Sequence, residues 1–223
     1  MFHENNPFIS WSYLQDNRGV FLSQLATQAE LSAIAIGIGI AIALPLAVGV
    51  RKRRSARAAL LGVSELFYTI PSLALFAIVQ PIIGYFSLAA AEVALVSYTM
   101  LALVRNVLAG LDGVPPELRE AARATGYRPF GSLVRIELPL ALPAIFAGLR
   151  VASVTAIGLV TVTTFIGMNV LGQSIQMGFQ TGFYTQITVP LILSVLLAGL
   201  ADLAFVLLEK LTVRWRGPAR VAG

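Results

Sequence analysis

Few side chains in this sequence could do chemistry, and their spacing points to pairing and solute contact, not to bond-making. Glu92, Arg150 and Asp202 stand inside long apolar runs. An ionised side chain at the centre of a bilayer costs about 2.5–3.5 kcal/mol on insertion scales, so such residues pair or face a polar path. Arg150 and Asp202 fall at similar depth in their runs, which predicts an intramembrane ion pair. Gln173, Gln176 and Gln180 recur at three and four residues. That spacing puts them on one face of a short helix, either lining the mouth of a path or forming a hydrated outer face. Tyr68 and Pro71 stand together in another run as candidate path or gate residues. Tyr68, Phe76, Tyr98 and Phe165 are scattered, however, and do not assemble the aromatic cage that a quaternary ammonium ion requires.

The remaining chemistry is excluded by absence. There is no Cys and a single His, His3, so no thiolate metal site, no metal centre and no Ser-His pair can form. A phosphate-binding loop needs G-x-x-x-x-G-K-[ST], and neither Lys52 nor Lys210 stands in that context. No catalytic residue, metal or cofactor is therefore expected on this chain.

The elements that must position these residues are membrane helices. The 223 residues are 57% hydrophobic and only 12% charged, with a mean hydropathy of +0.80, outside the range of soluble globular domains. The expected fold is an all-α membrane protein of five spans. Leu31–Val50 is a charge-free run of about 30 Å as a helix, enough to cross the hydrocarbon core. The others run from about Leu60 to Gly84, Ala89 to Leu108, Leu140 to Ile166 and Ile187 to Leu208. Pro45, Pro71, Pro81, Pro143 and Pro190 fall in or near these spans, where proline kinks a helix.

Residues 1–30 lack the basic-then-apolar order of a signal peptide. They read as an extracytoplasmic or interfacial segment, either an amphipathic surface helix around Phe21, Leu22 and Leu25 anchored by Trp11 and Tyr13, or a loosely ordered tail. Basic residues set the orientation, because Lys and Arg of short loops stay cytoplasmic. Arg51, Lys52, Arg53, Arg54 and Arg57 follow span one; Arg119, Arg123, Arg128 and Arg135 lie between spans three and four; Lys210, Arg214, Arg216 and Arg220 follow span five. This places the N-terminus outside and the C-terminus inside, with the membrane domain at 31–210 and a cytoplasmic tail at 211–223. Arg outnumbers Lys fourteen to two, but no aromatics interleave with the basic residues to stack on bases. The net charge of +5 therefore reflects topology and not a nucleic-acid partner.

Within the cytoplasmic loop 112–139, Pro115-Pro116 starts a short helix, Glu117 and Glu120 sit near its positive end, and Gly126 fits a left-handed cap. Leu118, Ala121, Ala122 and Thr125 share one small apolar face. A second short helix is expected from about Pro129 to Arg135. The spacing of Glu120, Ala121, Ala122, Gly126, Ile136, Leu138 and Pro139 matches the E-A-A-x3-G-x9-I-x-L-P signature, and by it the chain resembles the membrane permeases of binding-protein-dependent ABC importers over about residues 20–212. The resemblance implies that these seven residues form a coupling element seated on an ATPase subunit. It also implies an extracytoplasmic solute-binding protein, a second permease copy, identical or similar, and the cytoplasmic membrane of a bacterium. Phe67–Leu75, Arg105-Asn106 and Glu137–Pro143 look like the small permeases of osmoprotectant importers, which carry glycine betaine, choline or carnitine. Methionine-type permeases have similar length and span count. A departure is Gly167–Gly172, where many relatives carry a glycine cluster. A stand-alone channel or carrier is the remoter alternative, expected to show internal repeats that the sequence lacks.

Overall fold

The computed structural model describes residues 7–213. His3, Arg214, Arg216, Arg220 and most of the expected tail at 211–223 lie outside the described residues. Among those described there are helices and no strand: α1 Trp11–Asp16, α2 Arg18–Val50, α3 Arg54–Thr69, α4 Ser72–Ile83, α5 Leu88–Asp112, α6 Pro116–Ala124, α7 Pro129–Ser132, α8 Leu138–Val160, α9 Leu171–Thr181 and α10 Thr185–Thr212. A π-helical turn, Leu133–Glu137, joins α7 to α8, and a 3₁₀ segment, Thr161–Ile166, extends α8. Four segments are long and apolar enough to cross a membrane, and the bent pair α3–α4 makes a fifth.

The first span is longer than its charge-free run. Helix α2 has 33 residues, about 50 Å, and absorbs the segment expected to lie on the membrane surface. The polar residues that made that segment look interfacial bond to other helices instead. Ser174 Oγ donates to Gln24 Oε1 at 2.7 Å, and Gln28 Nε2 donates to the Ile157 carbonyl at 3.2 Å and to Ser194 Oγ at 3.1 Å. Phe21 is buried with Leu171 and Val189, and Tyr13, one of the two expected anchors, packs edge-on to Phe183 at 4.9 Å. Helix α1 is capped by Ser10, with Trp11, the other expected anchor, exposed.

Of the five prolines expected to kink spans, one breaks its helix. Pro45, Pro81, Pro143 and Pro190 lie inside continuous helices, whereas α3 and α4 bend by 102° around Ile70-Pro71. The Tyr98 hydroxyl donates to the Ile70 carbonyl at the break, replacing a partner that the helix would have supplied.

Helix α5 is the centre of the bundle and packs most extensively on α8 and α2. Small residues set the spacing. A Cβ on Gly148 would lie 2.7 Å from Asn106 Cβ, one on Gly110 would lie 2.9 Å from the Ala141 carbonyl oxygen, and one on Gly39 would lie 2.6 Å from Thr99 Oγ1. Close approach of this kind is how apolar helices gain packing energy inside lipid. By contrast, α10 buries only Thr185, Gln186, Val189 and Pro190 at its start and presents Leu191, Val195, Leu200 and Leu207 outward.

Candidate functional site

The polar loop between α5 and α8 is a folded element whose shape follows from local sequence. Pro116 takes the first helical position of α6 and Glu117 its first turn, while Arg123 lies in the last turn, matching the helix dipole at both ends. The helix closes with a Schellman motif: Gly126 N–H donates to the Arg123 carbonyl and Tyr127 N–H to the Ala122 carbonyl, both at 3.0 Å, with Gly126 at φ +82°. A Cβ at Gly126 would meet nothing within 4 Å, so the left-handed backbone alone calls for glycine there.

Ala122 is the one buried residue of α6; Leu118, Glu120, Ala121 and Thr125 remain exposed. The small apolar face is thus divided. Ala122 seats the helix on the bundle and the others stay open to a partner. The second helix differs from expectation: α7 spans only Pro129–Ser132 and runs through the π turn straight into α8, giving one helical segment from Pro129 to Ile166. The wider register makes room for Pro139. Leu138 N–H reaches back to the Leu133 carbonyl, and Pro139, which has no N–H to give, follows as an early residue of α8. Ile136 and Leu138 are half-buried, with Leu138 packed against the inner core.

The same turn points Glu137 inward, at the unspecified position of I-x-L-P. Its carboxylate accepts from Arg51 Nη1 at 2.7 Å and Nη2 at 3.4 Å, and Arg119 Nε lies 3.3 Å away. The Arg119 contact is one of charge without hydrogen-bond alignment, since that nitrogen has no hydrogen-bond partner. Ser132 Oγ adds a contact at 3.5 Å, and Arg119 Nη2 also donates to the Leu111 carbonyl. One buried carboxylate therefore ties together the ends of α2 and α5, helix α6 and the start of α8. These groups line a cleft of about 290 Å³ with Lys52 and Arg123. The sequence signal for this junction was a lone Glu between an Arg-rich loop and an apolar run, a weak signal without the fold.

The other expected residues fall in two places. Tyr68, on α3, packs edge-on to Tyr98 with ring centroids 6.2 Å apart, and Pro71 stands exposed at the bend. Gln176 and Gln180 of α9 line a groove of about 410 Å³ with Phe165 and Phe179, whereas Gln173 is exposed outside that lining. The groove draws only on the end of α8's extension and on α9, so Tyr68 and Pro71 do not share it. Between α8 and α10, Arg150 Nε donates to Asp202 Oδ1 at 2.6 Å and Nη2 to Oδ2 at 3.0 Å, a two-pronged pair. Glu92 is buried, and neither carboxylate oxygen has a hydrogen-bond partner among the described residues.

Comparison with known proteins fits this arrangement. Residues 34–214 match the family described as binding-protein-dependent transport system inner membrane component. The chain belongs to this family. Among curated relatives of this inner-membrane component, the osmoprotectant import permease protein OsmW of Salmonella typhimurium is 35% identical over 164 residues, covering 72% of this chain and 76% of that one. The choline transport system permease protein OpuBB of Bacillus subtilis is 32% identical, covering 74% and 76%. A chain of the inward-facing MetNI methionine ABC transporter superposes with a TM-score of 0.76 at 24% identity, covering 92% of this chain and 99% of that one. The fold is that of type I ABC importer permeases. The chain is a multi-pass membrane permease subunit of an ABC importer, and family membership implies an ATPase and a solute-binding protein as partners.

Proposed function

We propose that this permease carries an osmoprotectant of the quaternary-amine class, such as glycine betaine, choline or carnitine, received from an external binding protein. Helix α6 docks on a separate ATPase subunit that binds ATP and Mg²⁺, through Glu120, Ala121 and the exposed turn around Gly126. Ile136, Leu138 and Pro139 anchor that element to α8. The N-terminus faces outward and the C-terminus inward, so α9 with Gln173 and Gln176 lies on the binding-protein side. A second permease, identical or similar, supplies the other half of the path, because one five-span bundle encloses little space.

The solute assignment is carried by similarity to osmoprotectant and choline permeases over nearly three-quarters of the chain. The docking assignment is carried by α6, a capped helix seated on the bundle through Ala122 with an exposed small-residue edge. Methionine is the second reading, favoured by the MetNI likeness; at 24% identity that likeness speaks to fold alone. The test is uptake into proteoliposomes containing the permease, the ATPase and the binding protein encoded beside it. Labelled choline or glycine betaine should accumulate only with ATP. Accumulation of methionine instead would replace the solute, and flux without the ATPase would overturn the importer reading.

A further inference from the structure

The outer surface of this bundle carries a polar seam where lipid would be expected. Helices α3 and α5 run antiparallel and are joined by two ion pairs: Arg57 Nη1 to Asp112 Oδ2 at 2.5 Å, and Arg105 Nη2 to Glu65 Oε1 at 2.5 Å. The first lies at the cytoplasmic end. The second is seven residues further along α5, about 10 Å deeper, yet its side chains are 59% and 51% exposed. Snorkelling would carry the Arg105 guanidinium back toward the cytoplasm, but Glu65, eight residues beyond Arg57 on α3, holds it at depth.

Above this pair the face of α5 continues through half-buried Leu101 and Ser97 to exposed Val93, at successive intervals of four residues, and on α3 through exposed Tyr68 and Thr69. Ser97 satisfies itself by donating to the Val93 carbonyl at 2.7 Å, so the weight of the argument rests on the charged pair. The Arg150–Asp202 pair is less exposed, at 40% and 36%, is bidentate, and has the apolar residues Val151, Val154 and Leu203 exposed near it. The surface of α10, by comparison, presents a run of leucines and valines. A half-exposed Glu–Arg pair against hydrocarbon would meet the insertion cost of both charges without burial to repay it. Water around it removes that cost.

We infer that the seam formed by Glu65, Tyr68, Ser97, Leu101 and Arg105 is one wall of the water-filled solute path, with Glu65–Arg105 as its charged constriction on the cytoplasmic side. The opposite wall comes from the second permease. This rests on the proposed reading in taking the chain to work beside another permease and to hold its α5–α8 loop on the cytoplasmic side.

The absence of cysteine allows a direct test. Single-cysteine variants S97C and L101C, and the α10 controls V195C and L200C, are expressed with the ATPase in inverted membrane vesicles and treated with a membrane-impermeant cationic methanethiosulfonate. The seam positions should react at least tenfold faster than the α10 positions, and ATP should change their rates. Seam rates equal to those of α10 would overturn the assignment. Each variant is first shown to retain the ATPase on purification, so that a misassembled variant is not scored. Because the readout is thiol reaction and not uptake, an error in the proposed solute leaves this result unchanged. A charge exchange, E65R/R105E, gives a second measurement. It should keep the S97C rate within twofold, whereas R105L should lower it at least fivefold by drying the seam; no change in R105L would count against the charged pair as the source of water.

Discussion

Replacing Glu137 with Gln keeps the shape of the junction at the base of the bundle and removes the carboxylate that pairs with Arg51 and Arg119. In the native chain that carboxylate faces Arg51, 14% exposed, and Arg119, 34% exposed. Taking one partner from a buried ion pair costs about 3–5 kcal/mol, because the remaining charge is left desolvated and unpaired. The Gln side chain still accepts one hydrogen bond from Arg51, and water reaches part of Arg119, so the lower end applies, about 3 kcal/mol. For a chain of this length each kcal/mol moves a melting midpoint by about 2–4 °C, giving a drop of about 6–12 °C. The assay is thermal unfolding of the detergent-purified permease followed by tryptophan fluorescence. The double variant R51Q/E137Q removes the more buried of the two stranded cations and should melt above E137Q. A midpoint for E137Q within 2 °C of the native protein, or a double variant that melts below the single, would refute the reasoning.

Other expectations follow from single contacts. Gly126→Val forces a β-branched residue to φ +82° and should cost at least the 1–2 kcal/mol of a left-handed L-residue; the ATPase should be lost on co-purification, while Gly126→Asn should retain it. Normal recovery of the ATPase with Gly126→Val would sink the docking role. Gly172→Ala should abolish folded expression, since its Cβ would lie 1.8 Å from the Thr161 carbonyl oxygen, whereas Gly158→Ala, with open space around it, should be neutral or up to about 1 kcal/mol stabilising; size-exclusion recovery separates the two. Arg150→Met and Asp202→Asn should each reduce assembly more than the two combined, with a coupling of about 0.5–3 kcal/mol in the double-mutant cycle. Equal damage in single and double variants would remove the pair as a structural unit.

What could be read from sequence was what local residues determine. The Pro115-Pro116 start, the Glu117 charge and the Gly126 cap define α6 within a stretch of twelve residues, and the helix forms as they direct. Counting along two spans set Arg150 and Asp202 at similar depth, and their side chains meet. The failures are all at places where a distant residue decides. Five prolines looked equally able to bend a span. The bend occurs at Pro71, where Tyr98, on another helix, takes up the Ile70 carbonyl. The segment around Phe21, Leu22 and Leu25 read as a surface helix, yet Gln24 and Gln28 within it bond to Ser174, Ile157 and Ser194, more than a hundred residues away. Glu137 was read as part of a resemblance and not as a junction, because Arg51 is 86 residues distant.

The segment from Pro129 to Ile166 bears on how a push at the loop between α5 and α8 would cross the membrane. It has 38 residues, about 57 Å as a helix, so the chain beside α6 and the 3₁₀ turn at the far side belong to one rod. A loop-and-return at residues 133–137 would have placed a hinge there and absorbed the push as bending; the π turn keeps the hydrogen-bond ladder closed while letting Pro139 in. Sideways transmission follows from packing. Gly110 and Gly148 bring α5 and α8 so close that a single added methyl collides, and interfaces of this density switch between discrete arrangements and do not deform smoothly. That packing favours α5 and α8 shifting together with α6, which is tied to the end of α2 through Arg51 and Glu137. Helix α3, with Ser64 as its one buried residue, and the bend that follows it are the loosest part of the bundle.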